Sequence, residues 1–278
     1  MIRVGCHLSI AGGFSRAARS AAALGCETLQ MFSRSPRGGK AKPLDSKDVE
    51  GFRRITLDHD IAPQVVHVPY YLNMASEALD AQQYTQDILV DEMCRAQELG
   101  ASYVITHLGH GADDDAYVRV LRMLERVVEQ AACCRVELLL ENAAGQGSEM
   151  GWSFEQIGFV FNECALDQRL GFCLDTCHAF AAGYDLATAD GFRRTLQQVE
   201  KHIGLERLKI IHANDAKEPL GSRKDRHEHI GEGHIGEEGF RRLLTARELS
   251  TVSAVLETPQ TTSEANMRNL QALKRLRS

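Results

Sequence analysis

Eight times along this chain a short apolar run is followed by a stretch of helical character, and that alternation restricts the fold more than any other feature. Compact apolar runs bounded by turn residues read as strands, and apolar residues spaced three and four apart read as helices. The expected strands are Ile2 to His7, Thr28 to Phe32, Gln64 to Val68, Tyr103 to His107, Val136 to Leu140, Leu170 to Asp175, Leu208 to His212 and Val252 to Leu256. The first helix is expected over Phe14 to Leu24, closed by Gly25 beyond its C-terminus. Others are expected over 46–59, 80–99, 114–134, 154–164, 189–203 and 237–244, with a last one starting at Thr262 or Ser263. Ser153 reads as the cap of the fifth, and Val118, Leu121, Leu124 and Val128 as one face of the fourth. Eight such units in 278 residues match the size of a (β/α)8 barrel. The expected architecture is therefore an α/β TIM barrel forming one domain over residues 1–278. An open doubly wound sheet would carry a glycine-rich phosphate turn after an early strand, and Gly12-Gly13 lacks the spacing for it.

Composition narrows the class. At 44% hydrophobic and 25% charged, the chain is of globular type. It has no apolar run of membrane-spanning length, so no membrane partner is expected. The start, MIRVGCHLSIAGG, lacks the basic and apolar regions of a signal peptide, and a cytoplasmic location follows as the expectation. Among the eight cysteines there is no C-x-x-C pair, which disfavours a thiolate zinc site, and a disulfide framework is not expected. The net charge of −6 argues mildly against a nucleic-acid partner, unless acids are spent on metals. Three divalent ions would cancel it.

In a barrel, functional groups come from the C-terminal ends of the strands. Those ends carry His67, His107, Glu141, Asp175, His212 and Glu257 on six consecutive strands. The following loops add His178, Asp225 and His227. Asp175 has two readings, as a metal ligand or as the cap of a helix. Any one of these residues alone is more often a hydrogen-bonded structural group. Together, buried on one rim, they would be costly without compensating charge. Nine mixed His and carboxylate groups exceed the four ligands of one zinc and suit a cluster of two or three divalent ions with a bridging carboxylate.

The segments ENAAGQGSEMGWSFEQIG (141–158), GFCLDTCHAFAAGYDL (171–186), IHANDAKEPLGSRKDRHEHIGEGHIG (211–236) and LETP (256–259) resemble the endonuclease IV family of abasic-site DNA repair nucleases. GCHLSIAGGF near the start and MFSRSPR after it fit the same family, so the resemblance runs from about residue 4 to 260. It implies a barrel with three zinc ions, manganese or iron being alternatives at some positions. His67, His107 and Glu141 would hold one ion. Glu141 would bridge to a second, held also by Asp175, His212 and Glu257. His178, Asp225 and His227 would hold the third. The implied activity is hydrolysis of the phosphodiester 5′ to an abasic site by metal-bound hydroxide, leaving a 3′-hydroxyl and a 5′-deoxyribose phosphate. Removal of blocking groups from 3′ ends is implied too. Glu141 and Glu257 are the catalytic candidates, the partner is double-stranded DNA with abasic sites or blocked 3′ ends, and the chain is expected to act as a monomer. The loop after the second strand carries Arg34, Arg37, Lys40 and Lys42, and Tyr70-Tyr71 follow the third. Arg37, Lys40, Lys42, Tyr70 and Tyr71 are the DNA-binding candidates. Gly38-Gly39 departs from some members of that family, which have bulkier side chains there. His7 and His110 are expected beside the ligands or in structural roles, and His59 and His202 on helix surfaces. A sugar isomerase or epimerase on the same barrel is the alternative; it would use one or two ions and no third set.

Overall fold

The structure, a computed structural model, describes residues 1–165, 169–259 and 262–278. Eight parallel strands close into a barrel: β1 (Arg3–His7), β2 (Thr28–Phe32), β3 (Gln64–His67), β4 (Tyr103–Thr106), β5 (Glu137–Glu141), β6 (Leu170–Asp175), β7 (Leu208–His212) and, after a short antiparallel ribbon of β8 (Asp215–Ala216) with β9 (His227–Glu228), β10 (Ser253–Leu256). The barrel closes through β1, which pairs with β10 on one side and β2 on the other. Outside lie α1 (Phe14–Leu24), α2 (Ser46–Asp58), α3 (Leu79–Leu99), α4 (Ala116–Gln130), α5 (Phe154–Glu163), α7 (Ala189–His202), α8 (Gly236–Thr245) and α9 (Ser263–Leu276), while the short α6 (Thr176–Ala182) sits on the rim. The eight-unit (β/α)8 expectation holds, with strand ends within one residue of those read from sequence.

Side chains alternate across a strand, and that alternation organises the interior. Val65, Ile105, Leu139, Cys173, Ile210 and Val255 form a buried cluster of their own, separate from the larger core between strands and helices. Two residues further along each of these strands, on the same inward face, stand His67, His107, Glu141, Asp175, His212 and Glu257. An apolar plug thus fills the lumen and a polar layer lies above it. In β1 and β2 the inward positions of that layer are His7 and Gln30, paired in register. A register shift between β6 and β7 at Phe172/Cys173 brings Asp175 directly opposite His212.

Two helical expectations are corrected. The fourth helix ends at Gln130 rather than near residue 134. The Arg169 guanidinium donates to the carbonyls of Val128, Ala131 and Cys134, which gives the carbonyls of that turn a partner without further helix. Its buried face is Ala116, Val120, Met123, Leu124, Val127 and Val128, while Val118 is 40% exposed. Two apolar stripes compete in this helix, and the one containing the small Ala116 and the flexible Met123 fits between α3 and α5.

Helix packing is close where glycine permits it. A Cβ at Gly158 of α5 would lie 2.2 Å from the carbonyl oxygen of His202 at the end of α7. Gly158→Ala must therefore separate the two helices, at a cost of about 2 kcal/mol. The expected result in a thermal melt is a Tm lowered by roughly 4 °C; an unchanged Tm would show that α5 and α7 are not held this closely.

Candidate metal centre

His67, Glu141, Asp175 and His212 end their strands, and His107 and Glu257 directly follow theirs. The strand ladder therefore fixes six of the nine expected groups. The others come from the rim. His178 lies in the first turn of α6, whose N-terminus is capped by Asp175: Oδ1 accepts from the His178 backbone N–H at 2.8 Å. Asp175 thus has both of its sequence readings, a cap through one oxygen with the other, Oδ2, turned to the cluster. Asp225 and His227 lie before and on β9. Their loop is anchored by the buried Asp215 carboxylate, which accepts the backbone N–H groups of Gly231, Gly233 and Ile235 at 2.9, 3.0 and 2.9 Å.

Glu141, 1% exposed, occupies the centre. Its Oε2 lies 3.0 Å from His67 Nε2 and 3.2 Å from His107 Nε2, and its Oε1 lies 2.7 Å from His212 Nδ1. The two oxygens thus face two different sets of residues, the arrangement of a bridging ligand. Glu257 Oε2 is 3.2 Å and Asp175 Oδ2 3.9 Å from His212 Nδ1. On the third side, Asp225 Oδ1 is 3.3 Å from His178 Nε2 and 3.1 Å from His227 Nε2. In each of the groups His67/His107/Glu141, His67/His212/Glu257 and His178/Asp225/His227, the potential ligand atoms lie within 4.8 Å of one another.

Four of the histidines have one ring nitrogen fixed by an oxygen outside the cluster. His67 Nδ1 faces the Val68 carbonyl at 2.6 Å, His178 Nδ1 the Asn142 carbonyl at 3.0 Å, and His227 Nδ1 the Glu257 carbonyl at 2.9 Å. His212 Nε2 faces Gln30 Oε1 at 2.8 Å. Each acceptor calls for a proton on that nitrogen, so the opposite nitrogen is the one that could turn a lone pair to a cation once the proton it shares with a carboxylate is displaced. His227 Nε2 is buried without a hydrogen-bond partner; Asp225 is near enough for an ion pair but not aligned for a hydrogen bond. That orphaned nitrogen, the held tautomers and the mixed nitrogen and carboxylate donors fit zinc or a similar divalent ion.

Electrostatics point the same way. Burial acts to discharge Glu141, His178, His227 and His107, and the opposite charges outweigh it in the first three. Glu141 is held well below the usual carboxylate range by His107 and His212 in spite of its burial. His178 is raised well above its ordinary value, with burial opposed by Asp175 and Asp225. Burial likewise acts to lower His227, but Asp225 and Asp175 raise it to about 9. His107 goes the other way, lowered because burial outweighs Glu141. A divalent cation would take the place of the shared protons, releasing them as it binds.

Several supporting residues escape a reading of strand ends. Gln30 Nε2 donates to Glu257 Oε1 at 2.6 Å and lies 3.0 Å from His7 Nδ1, which itself stands 3.3 Å from Glu257. Asn142 pairs with the Asp175 backbone in both directions, and Asn214 donates to Asp175 Oδ2 at 2.7 Å while accepting from the Glu257 N–H at 2.9 Å. The signal for Gln30 is its place in period two with Thr28 on β2; Asn142 and Asn214 are fully buried polar residues just beyond strand ends.

A cavity of about 280 Å³ opens onto the cluster, lined by Tyr70, His107, His178 and Asp225 among others. A larger groove, about 980 Å³, lies at the opposite end of the barrel beside Gln64 and holds none of the nine groups. Arg37, Lys40 and Lys42 are exposed on the loop after β2. Tyr70 is 67% exposed, whereas Tyr71 turns inward, packed on the core and stacked against Tyr84. Arg34, the first cation of that loop, is buried and ion-paired with Asp91 and Glu92. Arg226, between the two ligand candidates of the β9 loop, is exposed.

Residues 18–278 match the family model described as xylose isomerase-like TIM barrel. The chain is 42% identical to a protein named probable endonuclease 4 from Methanosphaerula palustris, over 99% of this chain and 98% of the relative. It is also 42% identical to a probable endonuclease 4 from Methanoculleus marisnigri, over 99% of each. Among solved structures, endonuclease IV from Thermus thermophilus superposes with a TM-score of 0.90 at 35% identity, covering 99% of this chain and 98% of that one. A D-tagatose 3-epimerase-like protein superposes at 0.76 with 20% identity, a likeness that shows the shared fold alone. With its barrel, its rim of gathered His, Asp and Glu side chains and relatives of this identity over nearly its whole length, the chain belongs to the endonuclease IV family.

Proposed function

We propose that this chain is a divalent-metal-dependent DNA repair endonuclease that hydrolyses the phosphodiester 5′ to abasic sites in double-stranded DNA. It leaves a 3′-hydroxyl and a 5′-deoxyribose phosphate and clears blocking groups from 3′ ends. It acts as a cytoplasmic monomer built as one domain, with three zinc ions held by His67, His107, Glu141, Asp175, His178, His212, Asp225, His227 and Glu257. The observation that carries the reading is Glu141, whose two oxygens face two sets of ligand candidates while His178, Asp225 and His227 form a third beside them. The relatives named endonuclease 4 support it. A sugar epimerase on the same barrel leaves the third set with nothing to hold.

Ions bound there would supply Lewis acidity towards water and phosphate oxygens at neutral pH. The chain's own residues supply placement. Glu141 keeps two sets in register. Glu257, steadied by Gln30, turns Oε2 to the cluster and can orient the attacking water in line with the phosphorus. Its backbone carbonyl also holds His227, so the eighth strand links two of the sets. A cavity of about 280 Å³ admits a phosphate and its sugar but not a stacked duplex, so the nucleotide must leave the helix. An abasic nucleotide, with no base to unpair, leaves at least cost. Tyr70 and Arg37 stand at the rim to fill the gap, and Lys40 and Lys42 to meet phosphates, while Tyr71 packs on the core and Tyr84.

Incubation with a duplex carrying a single abasic site is expected to yield one cut on its 5′ side, abolished by prolonged chelation, with a lower Tm for the metal-free chain. Full activity at zero measured metal content would overturn the mechanism. Glu257→Gln removes a negative ligand without moving the exposed basic loop. Single-turnover cleavage by this variant is expected to slow by at least ~100-fold, while affinity for the same duplex changes far less. A near-normal rate would remove Glu257 from the reaction.

A further inference from the structure

The basic loop between β2 and α2 is fastened at both ends to one helix. The Arg95 guanidinium of α3 donates to Ser33 Oγ at 2.7 Å, to the Ser33 carbonyl at 2.6 Å and to the Lys42 carbonyl at 2.9 Å. One side chain thus ties residue 33 to residue 42. One turn earlier, the Glu92 carboxylate accepts from Ser33 Oγ at 2.6 Å and from Arg34, which also reaches Asp91. Glu92 is fully buried, and Arg34 and Arg95 are each 8% exposed. Further along the same face of α3, Tyr84 stacks on Tyr71, at 6.3 Å between ring centroids. A Cβ built at Gly38 would meet the Tyr71 ring at 3.9 Å. The loops after β2 and β3 therefore rest on one helix and on each other.

Two buried guanidinium groups and a buried carboxylate make an expensive fastening. Burial raises the Glu92 pKa above its usual value despite Ser33, Arg34 and Arg95 acting the other way. Apolar side chains of similar volume would hold a loop to a helix at less cost. What they would not do is fix orientation, since only directed hydrogen bonds to the Ser33 and Lys42 carbonyls set where the segment between them projects. Its tip, Gly38-Gly39, has φ of +90° and +93°, a backbone that glycine adopts without strain. The base is bonded at several points, and the tip is built of glycine.

We propose that the Ser33–Arg34–Glu92–Arg95 cluster is the device that presents the 35–41 loop to DNA, with Glu92 and Arg95 as positioning residues that pre-shape the rim for lesion engagement. The inference rests on the endonuclease reading above and adds to it. Holding the loop in place before binding lowers the ordering cost of the complex. Among the described residues the cluster bonds to Asp91 and Lys42 and to none of the nine ligand candidates, so it acts on substrate engagement and not on the chemical step.

Arg95→Met and the milder Glu92→Gln test it, each checked for thermal stability and metal content against the unaltered chain. Trypsin provides a readout independent of activity, because Arg37 and Lys40 lie exposed within the loop. In Arg95→Met, cutting at these two sites is expected to accelerate by at least ~10-fold as the tethered state opens. KM for an abasic duplex is expected to rise by about tenfold with kcat nearly unchanged, since binding alone is lost. Glu92→Gln should shift both quantities in the same direction by less, and it decides the matter if Arg95→Met does not fold. Unchanged trypsin sensitivity in a folded variant would overturn the proposal. So would a faster cut with unaltered KM, or a fall in kcat at constant KM. If the unaltered chain fails to cut abasic DNA, the endonuclease reading falls and this proposal's DNA role with it, while the trypsin arm still decides the anchoring.

Discussion

The structure depends on one geometric constraint, the two-residue period of a strand inside a closed barrel. Residues that point inward at one level must do so again two positions later. Val65, Ile105, Leu139, Cys173, Ile210 and Val255 pack the lumen, and the next inward positions are His67, His107, Glu141, Asp175, His212 and Glu257. The plug excludes water from below and gives the polar layer a rigid floor. Parallel strands all end at the same rim, so residues distant in sequence meet there: His67 and His212, 145 positions apart by their numbers, have ring centroids 5.8 Å apart.

That convergence concentrates charge in a poorly solvated place, and the surrounding residues manage it. Each carboxylate is set against imidazoles, and four of the histidines are held from behind by a carbonyl or an amide oxygen. Gln30, Asn142 and Asn214 add directed hydrogen bonds to Glu257 and Asp175. Such contacts fix the direction of these side chains, which is what a preformed metal site would need. The rim loops repeat the principle at larger scale: Asp215 gathers backbone N–H groups to hold the loop of Asp225 and His227, and Arg95 gathers carbonyls to hold the loop of Arg37.

Much of this is legible in the sequence because strand ends carry a local signal. Apolar runs that stop at a His, Asp or Glu place all six strand-borne groups, and Gly25 and Gly100 mark helix ends that the structure places there. The residues that escape such a reading depend on partners far along the chain. Arg34 looks like any loop cation until Glu92, 58 positions away, is found beneath it. Tyr70 and Tyr71 are adjacent and chemically alike, yet one faces solvent and the other packs on the core, a difference made by Tyr84 and the underlying core. Gln30 falls in period two with Thr28 on its own strand, but its part in the site comes only from His212 and Glu257 across the barrel. The rim helix α6 and the β8–β9 ribbon are too short to leave a periodic trace. The buried face of α4 is not legible either, because packing against α3 and α5 decides between two apolar stripes of similar strength.

The central claim is that the nine gathered residues hold three divalent ions in one cluster. Elemental analysis of the purified chain, saturated with zinc and freed of loosely bound metal, tests it most directly. The account predicts three ions per chain, with His227→Ala retaining two because it removes a ligand from the third set alone. Fewer than three ions in the saturated chain, or three retained in His227→Ala, would contradict it.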